Sequence, residues 1–233
     1  MAMTAHMRDS ALPGLNLSWQ RLGGLLGILG VVLFVIGAVM EGDVPIYTDD
    51  AATIRDWFAD NGDQFLLADF IIGIGVVFCL VPFFVVLRSV MAKAEGESSL
   101  WPQVGLLGAI LFVVTGGMAS IFTGALAVSA EAISDDGAIV ALATMAFYGF
   151  NAPGFVLALF FIALGLGIIR SNAFAAPVGW LCLALTVTGI LSGLASMDGD
   201  PEGAFALLGL VTTLGLGVVV LITGGSLLMR KEE

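Results

Sequence analysis

The chain has 233 residues, 59% of them hydrophobic and only 12% charged, with a formal net charge of −11. Soluble domains are nearer half apolar and a quarter charged, and a domain of this length still exposes much of its surface. The apolar surplus therefore excludes a water-soluble fold.

Six apolar runs, near 20–40, 65–88, 103–129, 139–169, 174–196 and 204–229, reach the ~20 helical residues that cross a ~30 Å hydrocarbon core. None alternates polar with apolar as a lipid-facing barrel strand would, and a helix satisfies its own backbone in lipid. The expected fold is all-α and polytopic: a cytoplasmic tail over 1–18, a six-helix transmembrane domain over 19–229 and a second tail over 230–233. The first run is longer than a signal-peptide core and lacks a small-x-small cleavage site before Glu41, so it reads as a retained span.

In chain order, span one opens on Trp19-Gln20-Arg21-Leu22-Gly23-Gly24, with Gly23 and Gly27 forming a small-xxx-small packing face. The loop over 41–63 follows, with seven carboxylates against the single Arg55. Within it Thr48-Asp49-Asp50 can cap a helix starting near Ala51. Ile54, Trp57 and Phe58 share one face of that helix, and Asn61-Gly62 is a stop signal. The expectation is a short amphipathic helix lying on the outer membrane surface, with Tyr47 and Trp57 at headgroup level; a lid over an outward-facing cavity is the alternative.

Span two carries Asp69, the only ionisable residue within the body of a span; about 20 residues counted back from Arg88 place it at the membrane edge, within reach of water. Span three begins Trp101-Pro102-Gln103 and carries Thr115, Thr123 and a second small-residue face, Gly116-xxx-Ser120-xxx-Gly124. Span four is the longest run expected, and its middle reads Tyr148-Gly149-Phe150-Asn151-Ala152-Pro153-Gly154. Proline cannot donate the helix bond and crowds the preceding turn, so a break is expected there, with Tyr148 and Asn151 turned inward. Tyr148, Asn151, Pro153, Thr115, Thr123 and Asp69 are the candidate polar lining. Spans five and six open at Pro177-Val178-Gly179-Trp180 and close at Arg230-Lys231, and Gly189 with Gly193 forms a third packing face.

Charge sorts between the loops. Arg8, Arg21, Arg88, Lys93, Arg170, Arg230 and Lys231 fall on one side, and the carboxylate-rich loops over 41–63, 131–138 and 197–203 on the other. The positive-inside rule then places both termini in the cytoplasm and arranges the spans as three hairpins in a prokaryotic inner or plasma membrane.

Cofactor chemistry finds little purchase. The one histidine, His6, lies in the tail, so a haem has no axial His within a span. No Lys within a span could hold retinal, zinc and di-iron sites lack their ligands, and Cys79 and Cys182 form no CxxC. The two cysteines lie at matching depths, where a contact is geometrically open, and each reads more simply as a small hydrophobe. No cofactor is expected, and the chain is read as no enzyme. An accessory or assembly subunit acting through helix–helix contacts fits best. The alternative is a small-solute, ion or lipid carrier with its site at the fourth helix; an intramembrane enzyme fits least. The partner implied is the lipid bilayer, with a membrane-protein partner or a second copy compatible; nothing points to nucleic acid.

The order of parts resembles a family of small six-helix integral membrane proteins of the actinobacterial type, carried as a domain of unknown function. The resemblance rests on the Trp19/Gly23 opening, the acidic segment holding Ala51-Ala52-Thr53-Ile54-Arg55-Asp56-Trp57-Phe58, and the Phe83-Phe84-Val85-Val86-Leu87-Arg88 close of span two. It implies a six-helix bundle and carries no activity or site residue.

Overall fold

The computed structural model describes residues 18–96, 100–151, 153–194, 200 and 203–230, without the side chains of Asn151 and Pro153. Among these the chain is helical and has no strand. The helices are α1 (Trp19–Glu41), α2 (Ala51–Glu95), α3 (Trp101–Ser129, prolonged by a 3-10 turn over Ala130–Ala132), α4 (Asp136–Asn151), α5 (Pro153–Ser171), α6 (Ala176–Ser192) and α7 (Ala204–Met229). Five stretches, with Asp136–Ser171 counted as one, are long and apolar enough to cross a membrane, and α6 is equally apolar but has 17 residues. The break expected in span four falls at Ala152, which lies outside the described residues. So do the side chains of Asn151 and Pro153, and the tail over 1–17 that holds His6.

Each helix packs on its chain neighbours, and α7 returns to α1, closing a ring. At the arginine-bearing end of this ring the centre is filled. Phe83 and Phe84 of α2 meet Phe160 and Phe161 of α5, the Phe84 and Phe160 rings lying edge to face at 5.3 Å. Leu164, Ile168, Cys182, Val219, Val220 and Leu227 complete this core. Cys79 and Cys182 are both buried and both free thiols. The same end is tied together by Arg230, which donates to the Ala173 carbonyl and lies 5.0 Å over the Phe174 ring.

The structure corrects the reading of the 41–63 segment. No separate surface helix forms; α2 runs without a stop from Ala51 to Glu95, 45 residues, or about 67 Å if straight. Asn61 stays helical, and its Nδ2 donates to the Trp57 carbonyl at 2.9 Å. Gly62 is a point of close approach, since a Cβ there would lie 2.7 Å from the Ala127 carbonyl oxygen of α3. The apolar face that seemed suited to headgroups is buried by protein instead. Ile54, Phe58 and Phe65 form a second core with Leu126, Ala130, Ile139 and Ala143, with Tyr47 and Trp57 packed at its margin. Arg55 locks it, reaching Asp136 at 2.7 Å and the Ile133 carbonyl at 3.3 Å. The chain ends of α2 are set by Asp50 at its start and by Gly96, at φ +98°, beyond its last turn.

A second departure from regular helix lies within α2. Residues Ile74–Leu80 are π-helical, and the Val81 amide bonds to the Val76 carbonyl, five residues back. Pro82 supplies the cause: it has no N–H to donate and its ring crowds the carbonyl of Phe78. The widened turn fits against α1 only because glycines face each other. A Cβ on Gly75 would lie 3.0 Å from the Gly30 carbonyl oxygen, and one on Gly30 would lie 3.0 Å from that of Gly75.

Asp50 yields a pH test. Its carboxylate accepts from the Thr53 amide at 2.8 Å and the Thr53 hydroxyl at 3.0 Å, and these bonds hold its pKa below the usual aspartate value. A depressed folded pKa means that the cap acts in full above the unfolded value of about 4 and is lost as pH falls through the folded one. Asp50→Ala is expected to speed hydrogen exchange of the first-turn amides at neutral pH. The gap to the parent protein should close progressively as pH falls below about 4.

Candidate functional site

Between the two cores lies a hollow of about 490 Å³. Its level is fixed by the sequence positions of its walls. On α2 it spans Asp69–Val77, between Phe65 of one core and Leu80 of the other; on α3 it spans Phe112–Ser120, between Ala109 and Leu126. Phe150, Gly154 and Leu157 supply α4 and α5, Ser192 the last turn of α6, Ala206–Thr213 the first turns of α7, and Phe34 comes from α1. All six sides of the ring thus contribute at one height.

The hollow exists because its walls are thin. Gly73, Gly116, Gly117, Gly154 and Gly209 line it, and the π turn sets Val76 and Val77 on a widened stretch of backbone. The expectation for Gly116-xxx-Ser120-xxx-Gly124 was a helix–helix seam. Instead a Cβ on Gly116 or Gly124 would meet nothing within 4 Å. The other two small-residue faces do pack inside the bundle: Gly27 against Phe83, and Gly189 against the Gly154 carbonyl, 2.8 Å from where a Cβ would stand.

The lining is largely apolar, with Asp69, Ser120, Ser192, Thr212 and Thr213 as its polar side chains. Asp69 is half-buried and accepts a hydrogen bond from the Ser120 hydroxyl. The Ser192 hydroxyl donates to the Gly189 carbonyl at 2.9 Å. Thr212 donates to the Leu208 carbonyl at 2.7 Å and lies 2.9 Å from the Thr188 hydroxyl. Among the described residues no three His, Cys, Asp or Glu side chains gather to hold a metal.

Of the candidate polar lining, Asp69 is the one whose side chain, among those described, lines this hollow. Thr115 donates to the carbonyls of Leu111 and Phe112, and Thr123 to that of Ser120, so both serve their own helix. Tyr148 joins an aromatic group with Phe147 and Tyr47 near the acidic end, its ring 6.3 Å from that of Tyr47. Burial first, then Tyr148 and the carboxylate of Asp200, push the Tyr47 hydroxyl above its usual pKa. Asn151 and Pro153 stand between the lining residues Phe150 and Gly154, but their side chains lie outside the described residues. Sequence reasoning passed over Ser192 and Thr212 and read Ser120 as a packing residue. The available signal was the coincidence, at one depth of spans two to six, of a glycine or hydroxyl residue. The chain matches no family model, no curated protein and no solved structure.

Two substitutions separate hollow from contact. Gly149 faces Ala119, where a Cβ would meet the Ala119 Cβ at 2.9 Å. Gly149→Leu should therefore destabilise by about 1–3 kcal/mol, as overpacking does. Gly116→Leu should leave the melting temperature in detergent within a degree or two (about 0.5 kcal/mol) of the parent, because its side chain enters open space.

Proposed function

We propose that this chain is a membrane-embedded binding protein, a carrier for a small, mainly apolar molecule held between α2, α3 and α7. One observation carries the reading: a hollow of about 490 Å³ with a carboxylate in its wall, a volume within the ~300–1,000 Å³ usual for small-molecule sites. An accessory subunit needs only helix surfaces and gives no reason for a hollow shared by every side of the ring. The carrier reading drawn from the sequence placed its site at the middle of the fourth span. The hollow supports that placement in part, through Phe150, Gly154 and Leu157, while its polar groups come from elsewhere.

The same proposal sets the chain across a cell membrane as three hairpins, with both termini in the cytoplasm. Large apolar side chains are exposed on many helices, among them Val39, Phe78, Ile121, Val128 and Met229, which suits a lipid-facing surface. The arginines at one end and the carboxylates at the other support the orientation. Membership of the six-helix family is likewise a proposal, resting on the Trp19, Ala51–Phe58 and Phe83–Arg88 segments.

Binding is tested with 4-phenylbutanol as a neutral probe, by equilibrium dialysis against phosphatidylcholine nanodiscs with and without the protein. Excess uptake by the loaded discs, lost in Gly116→Leu, is the expected result. Equal uptake by both discs, together with a stoichiometric protein partner after mild solubilisation, would favour the accessory subunit instead.

Orientation is tested with single cysteines at Ser99 and Gly137, in a background lacking Cys79 and Cys182. An impermeant thiol reagent applied to intact cells should label position 137 and spare position 99; the reverse pattern would overturn the orientation.

A further inference from the structure

We propose that the molecule held in the hollow is a small protonated amine with an apolar body, its ammonium group bound by Asp69. This inference rests on the binding reading above and narrows it to one ligand chemistry.

The argument is an inventory of hydrogens. Among the described residues the lining holds no Lys, Arg, His, Asn, Gln or Trp. Three of the four lining hydroxyls have their hydrogens committed: that of Ser120 to Asp69, that of Ser192 to the Gly189 carbonyl, and that of Thr212 to the Leu208 carbonyl, which leaves the neutral hydroxyl of Thr213. A hydroxyl whose hydrogen is engaged still offers lone pairs, and a carboxylate only accepts. These groups present acceptors to whatever enters, so the matching ligand brings donors. Wall amides beyond the first turn of each helix are bonded within their own helices and cannot serve.

Charge points the same way. Asp69 faces a space walled largely by carbon, and a carboxylate there is stabilised far more by a cation than by a neutral donor. Glu41 stands near enough to Asp69 for their charges to interact; burial and then Asp69 push its pKa up to about 7, so it adds negative potential at that side of the hollow as pH rises above that value. Phe34, Phe112 and Phe150 also line the space, and aromatic faces attract cations. The acidic loops lie at the end of the ring nearer to Asp69, so cations are concentrated where they would enter. The remaining walls are apolar and would enclose an apolar body.

Three probes of one skeleton test this at neutral pH: 4-phenylbutylamine, 4-phenylbutanol and 4-phenylbutyrate, each dialysed against protein-loaded and empty phosphatidylcholine nanodiscs. The amine should bind roughly ten- to a hundred-fold more tightly than the alcohol, with the carboxylate weakest. Asp69→Asn should abolish the preference and leave alcohol binding in place. Asp63→Asn, which removes an exposed charge outside the hollow, should keep the preference. Alcohol binding as tight as the amine, or equal loss in both variants, would overturn the assignment to Asp69 while leaving the hollow as a site. No excess uptake of any probe would overturn the binding reading itself. Should Asp69→Asn fail to fold, the ranking of the three probes on the parent protein still decides.

Discussion

A hydrocarbon core admits about 20 helical residues, and the helices of this chain divide over that limit. α1, α6 and α7 have 23, 17 and 26 residues, whereas α2 has 45. Lipid can cover the excess only over the core's own thickness, so apolar residues beyond it must be buried by protein. The three chain ends that reach past α1 meet this demand together. The start of α2, the end of α3 and the start of α4 bury Ile54, Phe58, Leu126 and Ile139 against one another. The second core, the Arg55–Asp136 pair and the continuity of α2 all follow from that mismatch.

Two cores stacked along one ring leave a level between them, and that level is hollow. Association of helices in lipid draws on close packing rather than on a hydrophobic drive, so an empty space forfeits contacts that nothing else replaces. At the lower core this loss is avoided by large rings, Phe84 on Phe160, and elsewhere by glycines that bring backbones together, as at Gly30 and Gly75. At the hollow neither device operates: Gly73, Gly116 and Gly117 face open space, which is the room the binding proposal uses.

Much of the architecture was legible in the sequence because length and hydropathy act residue by residue. The apolar runs recur within helices, although the second is only part of the 45-residue α2 and the fifth is a helix of 17 residues. What was not legible depended on which neighbour a face would meet. Asn61-Gly62 read as a stop because the pair commonly ends helices; in the structure Gly62 is the contact with Ala127 and Asn61 bonds its own helix. The Ile54/Phe58 face read as membrane-seeking because the sequence shows an apolar stripe but not the α3 and α4 residues that cover it. Pro82 differs from Pro153 in what it does to the run around it. A proline near the middle of a run announces a break, while one that shifts a helix into π register leaves the run intact. Of the site, Asp69 alone could be read, because charge within an apolar span stands out where serines and threonines do not.

The position of Asp69 is itself a product of the stacking. It lies beside the last turns of α1, where a Cβ on Gly37 would stand 2.8 Å from the Ala68 carbonyl oxygen, and so near the level at which a bilayer would end. In a bundle without a second core that level would open directly to water, and a carboxylate there would be solvated and unremarked. Here α2 continues for 18 residues before Asp69, from Ala51 to Ala68, and packs against α3 and α4 above it. The carboxylate is thereby half-withdrawn from solvent without being immersed in lipid. Such a place tolerates a charge, since Ser120 donates to it and about half of it stays accessible. The same chain ends that bury Ile54 and Phe58 create that condition at Asp69, so the packing solution and the site have one origin.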